Sequence, residues 1–260
     1  PSHAHLDHVG AIPFLANQID APILAKHYTI EVIKALTYDE HLKIKNKLLK
    51  VNPNSTVKLT DTITAELINM THSTPQSAAI ALHTPYGTIL YATDFKFDNS
   101  PMLGLKPNYN RLKQLKGKVV LLITECLYAA LPQKMPSEAV AREMLREVVL
   151  ETKTENRAMI VTTPSSHIAR LKSIIEFGHR LNRQVVFMGR SLNKYVMAAE
   201  NINLVNFSAD IGMIYYGNRA EKALAKIGKE KDKYLLVTTG HQGEPKSILS
   251  RIVTDEFHFP

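Results

Sequence analysis

Cysteine is almost absent from this sequence, since Cys126 is the only one among 260 residues. A single cysteine excludes an internal disulfide and a zinc site built from several cysteines. It is typical of the reducing cytoplasm, where we expect this protein. Long apolar runs are also missing. The longest, such as VVLLI and YLLV, are far shorter than the roughly 20 residues that span a bilayer, so no transmembrane helix is predicted. Because the chain has only one cysteine, any metal is expected to be held by histidine and carboxylate.

Acidic residues are fewer than basic ones. Lysine and arginine number 32, whereas aspartate and glutamate number 24, which gives a net charge of +8 and an isoelectric point near 9.4. Part of the excess is clustered at residues 43–50 and 222–233. Such runs are either solvated faces of surface helices or contacts for a polyanion such as nucleic acid, and charge alone does not choose between these alternatives.

Short strands and helices alternate along the chain. In the first half, apolar patterning predicts a hairpin turn in TPYG, a helix at 27–49, and strands at 21–26, 65–73, 77–94 and 118–125. In the second half, it predicts strands at 157–163, 183–189 and 233–240, and helices at 136–154, 165–182, 191–202 and 244–253. Strands that alternate with helices indicate βαβ units on a parallel sheet. We place a domain boundary between residues 130 and 131.

The first ten residues, PSHAHLDHVG, concentrate donors that bind metals. His3, His5, Asp7 and His8 lie within six positions. In extended chain, residues two apart share a face, so His3 and His5 can point at one spot and the next pair at a second spot nearby. Neutral imidazole and carboxylate suit Zn²⁺ or Mn²⁺. The H-x-H-x-D-H pattern therefore predicts a metal site.

This pattern resembles the signature of the metallo-β-lactamase superfamily. The resemblance implies two further ligands, and it assigns them to His72 in NMTHSTPQS and Asp94 in LYATDFKFD. It also implies how the six residues divide: one metal is held by His3, His5 and His72, the other by Asp7 and His8, and Asp94 bridges both. His27 and His83 have no place in the pattern, and we interpret them as structural.

Two adjacent divalent ions can carry out a hydrolysis. They lower the pKa of a shared water, and they stabilise negative charge on a phosphoryl or carbonyl oxygen in the transition state. The expected cofactor is thus a pair of Zn²⁺ ions, with Mn²⁺ as the alternative. The fold alone names no substrate, because related sites act on lactams, thioesters and phosphodiesters.

The second half resembles the β-CASP nucleases, a branch of this superfamily that acts on RNA or DNA. Glu125 in LLITECLYA stands where these nucleases have an acidic residue after a strand. The segment VTTGHQGEPKSILSRI, with TTPSSHIARL and FMGRSLNKYV, is similar to the ribonuclease J family and to its archaeal members in particular. The chain departs from bacterial members at His167, at His241 and in ECLYA, and we assign no catalytic role to either histidine.

The resemblance implies a catalytic set of Asp7, Asp94 and Glu125. For RNA binding, the loop TTGHQGEP offers Gly240, Gln242 and Gly243, whose backbone N–H groups either meet a phosphate or form a helix-capping turn. Arg190 and Lys194 in GRSLNK lie either on an RNA path or on a solvated helix face.

The expected fold is therefore α/β, a partial metallo-β-lactamase αββα sandwich (1–130) with an inserted β-CASP domain (131–260). The function implied by the resemblance is a metal-dependent 5′-to-3′ exoribonuclease with endonuclease ability, active on single-stranded RNA and homodimeric at full length. The resemblance also implies that this chain is an internal piece, inactive alone, without the last metal ligand and the 5′-phosphate pocket. The rivals are a catalytically silent RNA-binding subunit and a hydrolase of small esters.

Overall fold

The structure is a computed structural model that describes residues 1–215 and 218–259. It divides into two compact units, Pro1–Ala139 and Val140–Pro260. In the described residues, no helix combines the length and the apolar character that crossing a membrane requires.

The first unit is built mainly on strands. Its elements, in chain order, are α1 (Leu6–Val9), α2 (Ile12–Leu15), β1 (Ile23–Lys26), α3 (His27–Asp39), β2 (Leu48–Val51), β3 (Thr56–Lys58), β4 (Thr64–Asn69), β5 (Ala78–Thr84), β6 (Gly87–Ala92), α4 (Tyr109–Gln114) and β7 (Val119–Thr124). Strands β1 and β2 form a parallel pair, and the other five form a sheet in the order β3-β4-β5-β6-β7. This sheet is antiparallel except between β6 and β7.

The sheet of the first unit sends several chain segments to one edge. Asn69 at the end of β4 pairs with Ala78 at the start of β5, and Ala92 at the end of β6 pairs with Thr124 at the end of β7. The predicted hairpin is confirmed, since β5 and β6 join through Pro85 and Tyr86. Residues that follow β4, β6 and β7 consequently emerge on the same side of the unit.

The helix predicted at 27–49 is wrong beyond Asp39. Helix α3 ends there, and His41 adopts a left-handed φ of 54°. The chain then returns as β2, which pairs in parallel with β1 from Leu48 opposite Ile23. The apolar residues of β2 continue the helical spacing of α3, so local patterning could not separate the two elements. Pairing with a distant strand decides this segment.

Lys26 is a buried lysine at the end of β1. It is 1% exposed, and its Nζ donates 2.8 Å hydrogen bonds to Oδ1 of Asn69 and to the carbonyl oxygen of Ser77. Both acceptors are uncharged. Burial therefore lowers the pKa of Lys26 from 10.5 to about 7.

This lowered pKa predicts a pH-dependent stability. Between pH 7 and 10.5 the unfolded chain binds more protons at Lys26 than the folded chain does, so stability rises with pH in that window. Relative to Lys26→Met, the native free energy of unfolding should gain about 2 kcal/mol from pH 7 to pH 9. Urea unfolding at several pH values measures this difference. Substitution of the exposed Lys113 by Met serves as the control. If the free energies of unfolding of the native protein and of Lys26→Met differ by the same amount at every pH, the lowered pKa is contradicted.

The second unit alternates strands and helices. Its elements are α5 (Glu138–Glu151, of which the first two residues belong to the first unit), β8 (Met159–Thr162), α6 (Ile168–Arg180), β9 (Gln184–Met188), α7 (Arg190–Glu200), β10 (Gly212–Ile214), α8 (Asn218–Gly228), β11 (Tyr234–Thr238) and α9 (Ile248–Val253). The strands form one sheet in the order β10-β9-β11-β8, with every pair parallel. The predicted parallel sheet is confirmed, although the short edge strand β10 was not predicted.

Burial explains the arrangement of the second unit. Residues 185–188 of β9 and 235–237 of β11 are all buried, as expected for central parallel strands covered on both faces. Helix α9 begins four residues later than predicted. The side chain of Ser247 caps it by accepting a hydrogen bond from the backbone N–H of Ser250, so the helix starts after the Gly-rich loop rather than inside it.

Candidate metal centre

The H-x-H-x-D-H segment is a tight loop that runs into α1. His3 is completely buried, and His5 is the N-cap residue of this one-turn helix, with its carbonyl accepting from the N–H groups of His8 and Val9. Asp7 and His8 lie within the helix. This change from extended chain to helix sends the donors of the segment in two directions, as the spacing predicted.

One group of donors combines the N-terminal loop with two strand ends. The donor atoms of His3, His5, His72 and Asp94 all lie within 4.8 Å of one another. Nδ1 of His5 is 3.1 Å from Nε2 of His3 and 3.1 Å from Nε2 of His72. Oδ2 of Asp94 is 3.6 Å from Nε2 of His3 and 3.8 Å from Nε2 of His72. These atoms surround a space of the size that a metal ion with imidazole ligands needs.

A second group shares Asp94 with the first. It consists of Asp7, His8 and Asp94, again with donor atoms within 4.8 Å of one another. Nε2 of His8 is 3.3 Å from Oδ2 of Asp7 and 3.5 Å from Oδ2 of Asp94. The structure thus brings together all six residues named from the sequence, in two overlapping sets with one common carboxylate.

Asp94 reaches this central position through an unusual backbone conformation. It follows β6 and has a φ of 51°, in the left-handed region that aspartate and asparagine tolerate better than most residues. Two segments are tied together beside it. The N–H of Lys96 donates to the carbonyl of Thr71 over 2.8 Å, and the Thr71 hydroxyl donates to the carbonyl of Lys96. These two hydrogen bonds hold the segment after β4, which contains His72, against the loop after β6, which contains Asp94.

The environment of His3 keeps its imidazole neutral. Burial, followed by repulsion from His8, His5 and His72, lowers the pKa of His3 to about 2. Nδ1 of His3 lies 3.0 Å from the hydroxyl oxygen of Ser2. When Nδ1 donates to that oxygen, the Nε2 lone pair faces the donor group, which is the tautomer a metal ligand requires.

Two serines beside the ligands were missed in the sequence. Besides Ser2, Ser73 places its hydroxyl 3.3 Å from Nε2 of His5. Their only signal was adjacency to a candidate ligand, and this signal is weak because serine is common in loops. Both contact imidazole nitrogens and can orient the rings.

Known sequences resemble this chain in both units. The sequence model of the metallo-beta-lactamase superfamily matches residues 1–124, and that of the ribonuclease J beta-CASP domain matches residues 155–259. Ribonuclease J of Methanocaldococcus jannaschii is 41% identical over 258 residues, 98% of this chain. The chain belongs to the ribonuclease J family. A second ribonuclease J, from Pyrococcus abyssi, is 39% identical over 260 residues, 99% of this chain.

The predicted fold class, mixed α/β with metallo-β-lactamase and β-CASP parts, is confirmed by these matches. The chain spans 58% and 57% of the lengths of the two archaeal ribonucleases J. A crystal structure of a protein of unknown function from Enterococcus faecalis V583 is similar with a TM-score of 0.56 at 17% identity, over 93% of this chain and 58% of that one. That likeness concerns the fold alone.

Membership of this superfamily implies that the chain binds divalent metal. The six donors fit such a metal, since four imidazoles and two carboxylates suit Zn²⁺ or Mn²⁺ better than they suit Mg²⁺ or Ca²⁺. The assignment of each residue to a particular ion stays a prediction. His83 lies apart from both groups, with its ring nitrogens 2.8 Å from Oε2 of Glu66 and 3.0 Å from the Thr88 hydroxyl.

Glu125, the acidic residue predicted to follow a strand, belongs to neither donor group. It directly follows β7, beside the strand that leads to Asp94, so both acids emerge at one edge of the sheet. Its Oε2 accepts a 2.9 Å hydrogen bond from the N–H of Leu127. Its catalytic role stays a prediction.

The predicted RNA-binding residues lie after parallel strands of the second unit. Arg190 is exposed and begins α7 one residue after the end of β9, and Lys194 is half-buried one turn later. Gly240 and Gly243 follow β11 and have positive φ values of 122° and 74°. In open parallel sheets, ligands bind outside this carboxyl edge.

The loop after β11 requires a glycine at position 240. A Cβ at that position would come within 2.7 Å of Oγ of Ser247 and 2.8 Å of Cβ of Leu249, so only glycine fits. The N–H of Gln242 donates to Oε2 of Glu244 over 3.2 Å. Since Ser247 caps α9, the loop is not the helix cap, and phosphate contact by its backbone stays a prediction.

Proposed function

We propose that this chain is the metal-binding part of a metal-dependent ribonuclease of the ribonuclease J type. The observation that carries the proposal is the pair of donor groups that share Asp94. A carboxylate common to both groups would keep two ions as close together as a hydrolytic pair needs. Divalent ions at such a pair lower the pKa of water and stabilise charge on a phosphoryl oxygen.

Each protein residue has a defined task in this proposal. His3, His5 and His72 would hold one ion, Asp7 and His8 would hold the other, and Asp94, which belongs to both donor groups, would serve both. Ser2 and Ser73 orient the rings of His3 and His5. Glu125, at the same edge of the sheet, is within the set that we expect to position the reacting groups or move a proton.

The finer points of the proposal rest on family membership. We infer zinc or manganese as the metal, single-stranded RNA as the substrate, 5′-to-3′ exonuclease action with endonuclease ability, and a cytoplasmic homodimer at full length. Full-length protein on RNA labelled at its 5′ end tests the direction. Release of labelled mononucleotides indicates attack from the 5′ end, whereas a ladder of labelled fragments shortened from the other end would overturn it. Comparison of 5′-monophosphate and 5′-triphosphate RNA tests whether that end is recognised.

The basic residues of α8 offer a test of RNA contact in the second unit. Lys222 and Lys226 are exposed in α8, and Lys229 is exposed in the turn directly after it, while Leu224 and Ile227 of the same helix are buried in the core. We define these three lysines as the α8 basic face. Lys222 and Lys226 lie about one helical turn apart and Lys229 follows closely, so the three can neutralise neighbouring phosphates of a single strand.

Replacing the α8 basic face with glutamine should weaken the salt dependence of RNA binding. Loss of three phosphate contacts is expected to reduce the slope of log K against log salt by about 2, because each contact on a single strand contributes roughly 0.7. Fluorescence anisotropy at several salt concentrations measures the slope. The control removes the same charge from the exposed Lys43, Lys45 and Lys47. An equal change in both variants would show an effect of net charge, not of this face.

A further inference from the structure

The buried Lys26 is connected to the metal centre through both of its hydrogen-bond acceptors. Asn69, the first acceptor, ends β4, and the ligand His72 follows three residues later. Ser77, the second acceptor, directly precedes β5, and the N–H of the next residue, Ala78, donates to the carbonyl of Ser2 over 2.9 Å. Ser2 in turn neighbours the ligand His3 and contacts its Nδ1.

The two acceptors are themselves fixed on several sides. The side-chain nitrogen of Asn69 donates to the carbonyls of Leu105 and Lys106, at 3.1 and 3.0 Å. The carbonyl of Ser77 accepts from the N–H of Met70 over 3.0 Å as well as from Lys26. The segment between Asn69 and Ser77 contains His72. The amine of Lys26 therefore joins the two ends of this segment through hydrogen bonds.

A lysine is a costly choice for this position if its task is only to fill space. Removing an amine from water with neutral acceptors alone disfavours its charged form, and an apolar side chain of similar length would avoid that cost. The amine does what an apolar chain cannot, because it donates simultaneously to two segments that lead to different ligands. Buried groups of this kind are common at functional sites.

We infer that Lys26 is a positioning residue of the metal centre, whose amine holds the base of the 69–77 segment so that His72 and His3 face a common point. The inference rests on the proposed function for its metal site. Lys26 touches neither donor group and acts through Asn69, Ser77 and Ser2.

The test compares how metal affinity responds to loss of the amine and to a core substitution elsewhere. Lys26→Met removes the amine, and Val32→Ala shortens a buried apolar side chain of α3 that makes none of these hydrogen bonds. Zn²⁺ affinity is measured by competition with a chromophoric chelator on the full-length folded protein, well below its unfolding temperature. Lys26→Met should weaken Zn²⁺ binding at least tenfold, in the range seen when partners of metal ligands are removed, and Val32→Ala should change it less than about twofold.

The outcomes separate this inference from the proposed function. Unchanged Zn²⁺ affinity in Lys26→Met would overturn the positioning role and leave the ribonuclease proposal intact. A wild-type protein that binds Zn²⁺ but cleaves no RNA would overturn the ribonuclease proposal alone. If Lys26→Met does not fold, Asn69→Ala removes one of the two acceptors. That variant should also weaken Zn²⁺ binding, and wild-type affinity there would refute the inference.

Discussion

Full-length protein with Asp94→Ala is expected to lose RNA cleavage by about 10³-fold or more while it still binds RNA. Oδ2 of Asp94 lies 3.5 to 3.8 Å from imidazole nitrogens of His8, His3 and His72, so both donor groups lose their common carboxylate. A loss of about 4 kcal/mol in transition-state stabilisation corresponds to that factor. Single-turnover cleavage of labelled RNA and an equilibrium binding assay measure the two properties separately.

The Asp94 experiment needs two controls because of the backbone at this position. Alanine at a φ of 51° costs about 1 kcal/mol of strain, so part of the effect could come from local distortion. Asparagine tolerates the left-handed conformation and keeps the side-chain shape, but it removes the charge. The Asp94→Asn variant should therefore be nearly as inactive as Asp94→Ala. Asp61→Ala alters an exposed carboxylate elsewhere in the unit and should remain active. Substantial turnover by Asp94→Asn would refute the shared-carboxylate assignment.

Removal of divalent metal should abolish cleavage, and Zn²⁺ or Mn²⁺ should restore it. The site contains four imidazoles close together, with ring centroids of His3 and His8 4.0 Å apart, and such a cluster has little affinity for Mg²⁺. We expect activity to fall at least about 100-fold after dialysis against a chelator, since bound metal ions would lower the barrier by several kcal/mol. The unfolding temperature should fall as well, because metal binds only the folded state.

The metal content of variants gives an independent check that cleavage depends on divalent metal. His72→Gln should reduce the bound metal measured by mass spectrometry of the native protein, because His72 belongs to the first donor group. His83→Gln should leave it unchanged, because His83 contacts Glu66 and Thr88 instead. An enzyme equally active before and after chelation would rule out the metal mechanism.

Much of the fold could be predicted because local patterns agreed with the tertiary structure. Alternating strands and helices indicated the parallel sheet of the second unit, and TPYG indicated the β5–β6 hairpin. The prediction failed where pairing partners decide the structure. The helix at 27–49 failed because β2 pairs with β1, and the short edge strands β3 and β10 carry too few residues for a periodic signal.

The residues of the candidate site likewise differ in whether local sequence was enough to predict them. His3, His5, Asp7 and His8 are neighbours in sequence, so their residue types and spacing were enough to indicate a metal site. His72 and Asp94 were found through family resemblance, since nothing local distinguishes them from other residues at strand ends. The carboxyl group of Glu125 accepts a hydrogen bond from the N–H of Leu127 and lies outside both donor groups, so its place in the catalytic set stays a prediction.

The sequence by itself determined where a metal site could form, because four donor residues within six positions stay close together along the chain. Only the tertiary structure decided that one carboxylate serves two groups and that Lys26 lies beneath them. Those relations depend on the register of β4, β5 and β6 and on the pairing of segments more than 40 residues apart in sequence, as between Lys26 and Asn69. Such contacts form only when the whole sheet is assembled, and no local pattern encodes them.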